Sequence, residues 1–316
     1  MGLPHHSSRI IAVLGPTASG KSDLGMELAR RSGGEIVSVD SMQVYRGMNI
    51  GTAKPSPTDQ AEVRHHMIDV VDPDEDYAVA EFQRTGRAAM AAIAARERPV
   101  VIVGGSGLYF RSLVDPLRFP TSDPAVRAAV EIMSPTEAVA ELLEIDPGAG
   151  DHVDLANPRR VSRALEIVRL EGGTPTERAA DPQFERVRNY QPEVPFAAIG
   201  VDPGDTLVGR VERRIDQMLR AGLVEEVAGL AGRLGRTASS AVGYRQMLPV
   251  VAGTRTVREG REATVRATMG LARKQRTYFG RDPRIRWLAW HSDPAVRYAA
   301  ARRVLKKTGM GWPATL

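Results

Sequence analysis

The chain has 316 residues, of which 42% are hydrophobic and 26% are charged, so it is long enough for one large or two smaller globular domains. It contains no cysteine, which excludes disulfide bonds and thiolate zinc sites. Its apolar runs fall short of the roughly 20 residues of a membrane span, and the N-terminus lacks the apolar core of a signal peptide. We therefore expect a cytoplasmic protein with no membrane partner, and the formal net charge of +5 suits a polyanionic partner.

The first predicted element is a strand over Ile10–Leu14, which leads into a glycine-rich loop and then an amphipathic helix. This order is the context of a P-loop, whose inward-facing backbone N–H groups bind phosphate. Lys21 is expected to reach the outer phosphates, and the Ser22 hydroxyl is expected to bind a magnesium ion. We assign phosphate binding to the whole loop, which consists of Gly15, Pro16, Thr17, Ala18, Ser19, Gly20, Lys21 and Ser22. The loop alone leaves open which phosphate compound binds.

A second predicted strand, Ile36–Val39, leads directly into Asp40, Ser41, Met42 and Gln43. Because ligands bind beyond the carboxyl ends of parallel strands, Asp40 should lie beside the bound phosphates. Three roles are open for this carboxylate: holding magnesium, accepting a proton from an incoming nucleophile, or capping a turn.

A helical pattern over Ala78–Arg96 precedes a third strand, Val100–Val103, and a turn rich in glycine that contains Ser106. Glycine lets the backbone approach a ligand closely, and the Ser106 hydroxyl could hydrogen-bond to it. Glycine is also common in ordinary strand-to-helix turns, so this turn is weak support for a site when taken alone.

The stretch between Pro116 and Pro195 is rich in proline and shows helical patterns without strand signals, so we predict a mainly helical insertion. A fourth strand, Phe196–Val201, follows, and helical patterns continue after it. Strands that alternate with helices predict an α/β fold with a P-loop NTPase-like parallel sheet core flanked by helices. We place this core at residues 1–116 and 196–316, and the helical insertion at residues 117–195.

Three segments rich in arginine could bind a polyanion. They are a helix face with Arg210, Arg213 and Arg214, the start of a helix in the insertion with Arg159, Arg160 and Arg163, and the stretch from Arg261 to Arg286. A solvated helix face is the alternative explanation for the first and the third of these segments.

Taken together, the motifs resemble the tRNA dimethylallyltransferase family, also called tRNA isopentenylpyrophosphate transferases. Matching segments occur in order through nearly the whole chain: Gly15–Ser22, Asp40–Tyr45, Gly51–Pro55, His66–Asp69, Gly104–Tyr109, Asn157–Glu166, Val242–Gln246 and Ala272–Arg276. Ser22 and Ser106 stand where the family often has threonine, and both keep the hydroxyl group.

This resemblance implies transfer of a dimethylallyl group from dimethylallyl diphosphate to N6 of the adenosine just 3′ of the tRNA anticodon, with release of pyrophosphate. It implies that the P-loop, Lys21 and magnesium hold the diphosphate and that Arg214 contacts the leaving pyrophosphate. It also implies that Asp40 accepts a proton from the N6 amine. We expect a monomer whose partners are tRNA and dimethylallyl diphosphate.

The resemblance further implies which residues contact tRNA. They are Asp40, Ser41, Met42, Gln43, Ser106, Arg127, Arg159, Arg160, Val161, Ser162 and Arg163. The target base is expected to leave the anticodon-loop stack in order to reach the pocket.

Three alternatives share parts of these motifs. A small-molecule P-loop kinase shares the loop and sheet, but it needs neither the helical insertion nor the basic C-terminal stretch. An adenylate isopentenyltransferase performs the same chemistry on a free nucleotide, and the arginine-rich insertion favours tRNA over it. A non-catalytic RNA-binding protein would not need an intact set of Lys21, Ser22 and Asp40.

Overall fold

The structure of the protein, a computed structural model, describes residues 9–120 and 122–308. The chain divides into two compact units. The first, called the sheet unit here, comprises the described residues of Met1–Val114 and Val194–Leu316, and the second, the helical unit, those of Asp115–Glu193.

The sheet unit is built on a six-stranded sheet in which every pairing is parallel. Its strands are β1 (Ile10–Leu14), β2 (Glu35–Val39), β3 (His65–His66), β4 (Val100–Gly104), β5 (Ala197–Val201) and β6 (Ile285–Leu288). Their spatial order is β3-β2-β4-β1-β5-β6. The predicted parallel α/β core is confirmed, and its four predicted strands are the four in the centre of the sheet.

Helices of the sheet unit follow or connect these strands. They are α1 (Lys21–Ser32), α2 (Pro57–Glu62), α3 (Val79–Ala95), α4 (Gly107–Val114), α10 (Leu207–Arg220), α11 (Leu223–Leu230), α12 (Arg236–Ser239), α13 (Tyr244–Val251), α14 (Val257–Gly280) and α15 (Pro294–Lys306). Those of the helical unit are α5 (Pro124–Glu131), α6 (Pro135–Ile145), α7 (Pro158–Glu171), α8 (Pro175–Ala179) and α9 (Pro182–Arg188). Among the residues that the structure describes, no helix is long and apolar enough to cross a membrane.

The sheet is buried on both faces, which explains why its central strands are continuous apolar runs. Along β1, Ile10, Ala12 and Leu14 pack into one hydrophobic cluster. Ile11 and Val13, which point to the opposite face, pack into a second cluster with α1 and α15. Edge strand β6 lacks this pattern, because Arg286 and Trp287 are exposed while its ends are buried.

The helical unit explains the abundance of proline in this part of the chain. Proline occupies the first turn of every helix from α5 to α9. Its missing N–H costs nothing there, since the first N–H groups of a helix have no intrahelical acceptor. Helices α5, α6 and α7 pack around a core that includes Val130, Leu142, Val161 and Leu165. The predicted mainly helical character of the insertion is therefore confirmed.

Candidate active site

The P-loop turns from β1 into α1 at the carboxyl edge of the sheet. Gly15 is required there, because an added Cβ atom would lie 2.2 Å from the carbonyl oxygen of Val201. Ala18 and Gly20 both have left-handed backbone conformations, with φ angles of 59° and 85°. Lys21 begins α1 and is buried, and its ammonium donates a hydrogen bond of 3.0 Å to the carbonyl oxygen of Pro16.

Two cavities meet at this loop. The larger, of about 540 Å³, is called the reaction cavity here, and its lining includes Thr17, Lys21, Asp40 and Arg214. The smaller, of about 280 Å³, is called the arginine cavity, and its lining consists of Ala18, Ser19, Gly20, Lys21, Ser22, Asp23, Arg210, Arg213, Arg214 and Gln217. Lys21, Ser22 and Arg214 line both cavities. The three residues predicted to be catalytic, Lys21, Asp40 and Arg214, thus line one cavity.

The charges around the reaction cavity influence one another. Burial, together with the nearby Arg214 guanidinium, lowers the pKa of Lys21 to about 8, and the Asp40 carboxylate opposes that shift. Burial also lowers the pKa of Arg214, again opposed by Asp40. Two cations are therefore held close together in a partly desolvated position with one carboxylate nearby, an arrangement that favours binding of an anion.

Asp40 is positioned by the turn that follows β2. Its Oδ1 atom accepts a hydrogen bond of 2.9 Å from the amide of Met42. The amide of Ser41 donates to Ser106 Oγ over 3.2 Å, which joins the ends of the neighbouring strands β2 and β4. Within the described residues no hydrogen bond reaches Oδ2 of Asp40, so this carboxylate retains an acceptor beyond its role in the turn.

Gln43, predicted to contact tRNA, has a side chain that connects parts of the sheet unit. Its amide nitrogen donates to the carbonyl oxygens of Thr52 and Ala53, each over 3.2 Å. Its amide oxygen accepts a hydrogen bond of 2.8 Å from the hydroxyl of Ser38. Gln43 thereby fixes one wall of the reaction cavity, and its contact with tRNA stays a prediction.

Sequence reasoning gave no role to Glu226, on α11, which holds the same wall from the other side. Its carboxylate accepts hydrogen bonds from the amides of Asn49, Ile50 and Gly51 at 2.7 to 3.0 Å. It also accepts one of 2.5 Å from the buried hydroxyl of Tyr244. The one sequence signal that could have pointed to this wall was Tyr244, which lies within the family motif Val242–Gln246.

Gln275, on α14, is a second residue that the spacing of motifs did not single out for the P-loop. Its Oε1 atom accepts a hydrogen bond of 2.8 Å from the amide of Thr17, and its Nε2 atom donates to the carbonyl oxygen of Gly105 over 3.0 Å. One side chain therefore links the loops that follow β1 and β4.

The predicted RNA contacts of the helical unit differ in their surroundings. Arg159 and Arg160 are exposed in the first turn of α7, whereas the Val161 side chain is buried in the core of the unit. Arg163 donates to the carbonyl oxygen of Pro120 over 2.8 Å and forms a 2.7 Å ion pair with buried Glu166. Half-buried Ser162 follows Val161 on the same helix.

Arg127, another predicted RNA contact, donates to Ser122 Oγ over 3.0 Å. That hydroxyl in turn donates to Glu166 over 2.6 Å. Arg127 and Arg163 thus both belong to a polar network inside the helical unit. Arg159 and Arg160 are exposed, and Arg160 lies 3.8 Å from the exposed carboxylate of Asp154.

The basic stretch between Arg261 and Arg286 contains both cations that are paired with carboxylates and cations that are exposed. Arg261 and Arg276 form ion pairs with Asp216 and Asp202, each at 2.5 Å, and Arg284 pairs with Asp282 at 2.7 Å. Other cations in the stretch are exposed on one side of α14 and just beyond it; they are Arg266, Arg273, Lys274 and Arg281. We call these four residues the α14 basic stripe.

The donor set near Ser22 fits a magnesium ion shared with a phosphate ligand. Among the described residues, no group of three or more His, Asp or Glu side chains could hold a metal ion. Mg²⁺ commonly keeps several waters and binds through one or two protein oxygens together with substrate phosphates. The Ser22 hydroxyl and the Asp40 carboxylate, which line the reaction cavity, supply oxygens of that type.

This sheet, loop and pair of cavities define a P-loop-like α/β protein that carries a helical insertion. A family model described as IPP transferase matches residues 43–282 of the chain. The tRNA dimethylallyltransferase of Streptomyces avermitilis is 46% identical over 289 residues, which cover 89% of this chain and 90% of that protein. The chain belongs to the IPP transferase family, and the resemblance drawn from its motifs is confirmed.

Solved structures agree with this assignment. The tRNA isopentenylpyrophosphate transferase of Bacillus halodurans superposes with a TM-score of 0.67 at 31% identity, covering 95% of this chain and 98% of that one. The tRNA delta(2)-isopentenylpyrophosphate transferase of Staphylococcus epidermidis superposes with a TM-score of 0.70 at 28% identity, covering 96% of this chain and 100% of that one.

Proposed function

We infer that the chain is a tRNA dimethylallyltransferase, which transfers a dimethylallyl group from dimethylallyl diphosphate to N6 of the adenosine 3′-adjacent to the anticodon. Family membership and the names of its relatives support this activity. The observation that carries it is the reaction cavity, where Lys21 of the P-loop and Arg214 of α10 lie near the carboxylate of Asp40. We propose that the protein acts on tRNA as a monomer and that it does so in the cytoplasm.

In the proposed mechanism, the diphosphate of the donor substrate binds to the P-loop amides, Thr17, Lys21 and Arg214. As the allylic C–O bond breaks, its electron pair passes to the diphosphate oxygen, and negative charge grows on the leaving group. Fixed cations and amide dipoles in a partly desolvated site stabilise such charge more effectively than water does. Arg214 remains charged throughout, since guanidinium does not lose its proton in proteins.

The N6 amine forms the new N–C bond with the allylic carbon and loses one proton. Its lone pair is delocalised into the adenine ring, so positioning must supply much of the acceleration. Asp40 accepts that proton through the carboxylate oxygen that the turn leaves free. Pyrophosphate leaves with the electron pair of the broken bond, which balances the reaction.

Ser22, with Asp40 nearby, would hold magnesium beside the diphosphate. When bound, the ion neutralises part of the charge on the phosphate oxygens. Arg214, together with Lys21 below its pKa of about 8, supplies the positive charge of the chain itself, and the amides of the P-loop orient the diphosphate between them.

For tRNA binding, we propose that the α14 basic stripe and the exposed Arg159 and Arg160 contact RNA phosphates. All of them are exposed. Arg160 lies 3.8 Å from the exposed carboxylate of Asp154, a longer ion pair than the 2.5 Å pairs of Arg261 and Arg276. Contacts with the anticodon loop itself are assigned to Asp40, Ser41, Met42 and Ser106 at the carboxyl edge of the sheet, together with Arg127 and Ser162.

The test is incorporation of label from radiolabelled dimethylallyl diphosphate into unmodified tRNA, with free AMP as a competing acceptor in a parallel reaction. Label in tRNA but not in AMP would support the proposal and separate it from an adenylate isopentenyltransferase. Label in AMP alone, or turnover of ATP with a small phosphate acceptor and no prenyl transfer, would overturn it.

A further inference from the structure

The outer surface of the P-loop contacts a segment that no motif includes. This segment, residues 289–293, connects β6 to α15, lies beyond residue 282, where the family match ends, and contains Trp290. The indole Nε1 atom of Trp290 donates a hydrogen bond of 3.3 Å to the carbonyl oxygen of Ser19. We call residues 289–293 the Trp290 segment.

The neighbouring P-loop carbonyl has a donor of its own. Arg210 Nε, on α10, donates to the carbonyl oxygen of Ala18 over 2.6 Å. The Arg210 guanidinium lies 5.2 Å from the centroid of the Trp290 ring, within the range of a cation–π contact. Two consecutive carbonyls of the turn are therefore hydrogen-bonded by side chains that also contact each other.

These contacts determine where the P-loop amides point. In a trans peptide the N–H group lies opposite the C=O group, so fixing the carbonyls of Ala18 and Ser19 also fixes the amides of Ser19 and Gly20. Those amides face away from the donors Arg210 Nε and Trp290 Nε1. Ala18 needs such external contacts, since a left-handed φ of 59° is unfavourable for a residue with a Cβ atom.

Arg297, at the start of α15, fixes the Trp290 segment in turn. It is buried, with 3% of its surface exposed, and its Nη1 atom donates to the carbonyl oxygens of His291 and Ser292 over 2.6 and 2.9 Å. Its guanidinium also lies against Gly20, where an added Cβ atom would be 3.3 Å from Nη2. Arg297 thus fixes the main chain of the Trp290 segment, and Trp290 in that segment contacts the P-loop.

We propose that Trp290, supported by Arg297, is a positioning residue that keeps the P-loop amides oriented for diphosphate before the substrate binds. Preorganised donors lower the cost of binding and of stabilising the leaving group, because they need not reorient. This inference rests on the proposed function, because it takes the P-loop as the diphosphate site. It predicts that a substitution of Trp290 lowers the affinity for diphosphate and leaves the affinity for tRNA unchanged.

The test compares Trp290→Phe with Trp287→Phe, a control three positions earlier whose ring packs against Gly200 on β5. Phenylalanine keeps an aromatic ring beside Arg210 and removes the N–H donor. Loss of one such hydrogen bond should weaken pyrophosphate binding about three- to tenfold by calorimetry. The KM of Trp290→Phe for dimethylallyl diphosphate should rise by a similar factor. Its tRNA affinity and its melting temperature should match those of Trp287→Phe.

Unchanged pyrophosphate affinity in Trp290→Phe would overturn the inference. So would a parallel loss of pyrophosphate affinity, tRNA affinity and melting temperature, which indicates a purely structural role. If Trp290→Phe does not fold, Arg297→Lys should weaken pyrophosphate binding selectively, because one ammonium cannot reproduce the contacts of the guanidinium. A wild-type chain that binds no pyrophosphate would overturn the proposed function itself, and this inference with it.

Discussion

The side chain of Gln275 accepts a hydrogen bond from the main-chain amide of Thr17, with 2.8 Å between the two heavy atoms. Helix α14 is thereby attached to the start of the P-loop, although Gln275 and Thr17 are 258 positions apart in the sequence. The same side chain donates to Gly105 after β4. The side-chain amide of Gln275 thus joins α14 to the loops that follow β1 and β4, beside the reaction cavity.

Replacing Gln275 by Met keeps a similar volume and removes both hydrogen bonds. We expect the KM for dimethylallyl diphosphate to rise about ten- to thirtyfold, because the two lost bonds together stabilise the position of the loop by about 1.5–2 kcal/mol. Steady-state kinetics measures this, with Gln183→Met as a control that removes a hydrogen bond to Pro116 in the helical unit. An unchanged KM in Gln275→Met would show that the P-loop does not depend on this contact.

Diphosphate affinity should depend on pH through Lys21. Burial and Arg214 lower the pKa of the free Lys21 ammonium to about 8, and a bound diphosphate favours the charged form. Affinity is therefore complete below pH 8 and is lost as the pH rises above it, by up to about tenfold per pH unit until the pKa of the complex is reached. Calorimetry with pyrophosphate measures the profile.

The control for this profile is Lys21→Met. Titration of pyrophosphate itself is common to both proteins, so the difference between the two profiles reports the lysine alone. A wild-type profile parallel to that of Lys21→Met between about pH 7 and about pH 9.5 would contradict the shifted pKa.

Tyr244→Phe should destabilise the protein by about 1–2 kcal/mol, since it removes the hydrogen bond that the buried Tyr244 side chain donates to the half-buried carboxylate of Glu226. Urea unfolding gives the free energy of unfolding. Tyr298→Phe is the matched control, because within the described residues the buried Tyr298 hydroxyl has no hydrogen-bond partner. Equal effects of the two substitutions would mean that the Tyr244 hydroxyl adds nothing to the wall of the reaction cavity.

The α14 basic stripe should appear in the salt dependence of tRNA binding. Arg273→Gln with Lys274→Gln removes two exposed cations, so the slope of log affinity against log salt should become shallower by about 1.5 to 2. Arg261→Gln, which removes a cation already paired with Asp216, should leave the slope unchanged. A shallower slope for Arg261→Gln alone would place the RNA on another surface.

Much of the fold could be predicted from the sequence because its central strands are buried on both faces. β1 matches its predicted range. The helix predicted to start near Arg159 is α7, which begins at a proline and ends before Gly172. The edge strands β3 and β6 could not be predicted. One has two residues and the other exposes Arg286 and Trp287, so neither forms an apolar run.

The candidate site divides in the same way. Lys21 and Asp40 could be brought together from the sequence, since both follow strands whose carboxyl ends share one edge of the sheet. Glu226, Gln275 and Trp290 could not, because their partners lie far away in the sequence and no spacing rule links them. Such contacts depend on how α11, α14 and the Trp290 segment pack, which is a property of the folded chain.

The most direct test of the account is the single-turnover rate of prenyl transfer by Asp40→Asn at saturating tRNA and dimethylallyl diphosphate. Asparagine fits the same turn and cannot accept the proton, so the rate should fall by about 10² to 10⁴ while pyrophosphate affinity is retained. Asp59→Asn is the control, since Asp59 also lines the reaction cavity and has no proposed catalytic role. A rate for Asp40→Asn within a few-fold of wild type would contradict the assignment of Asp40 as the base.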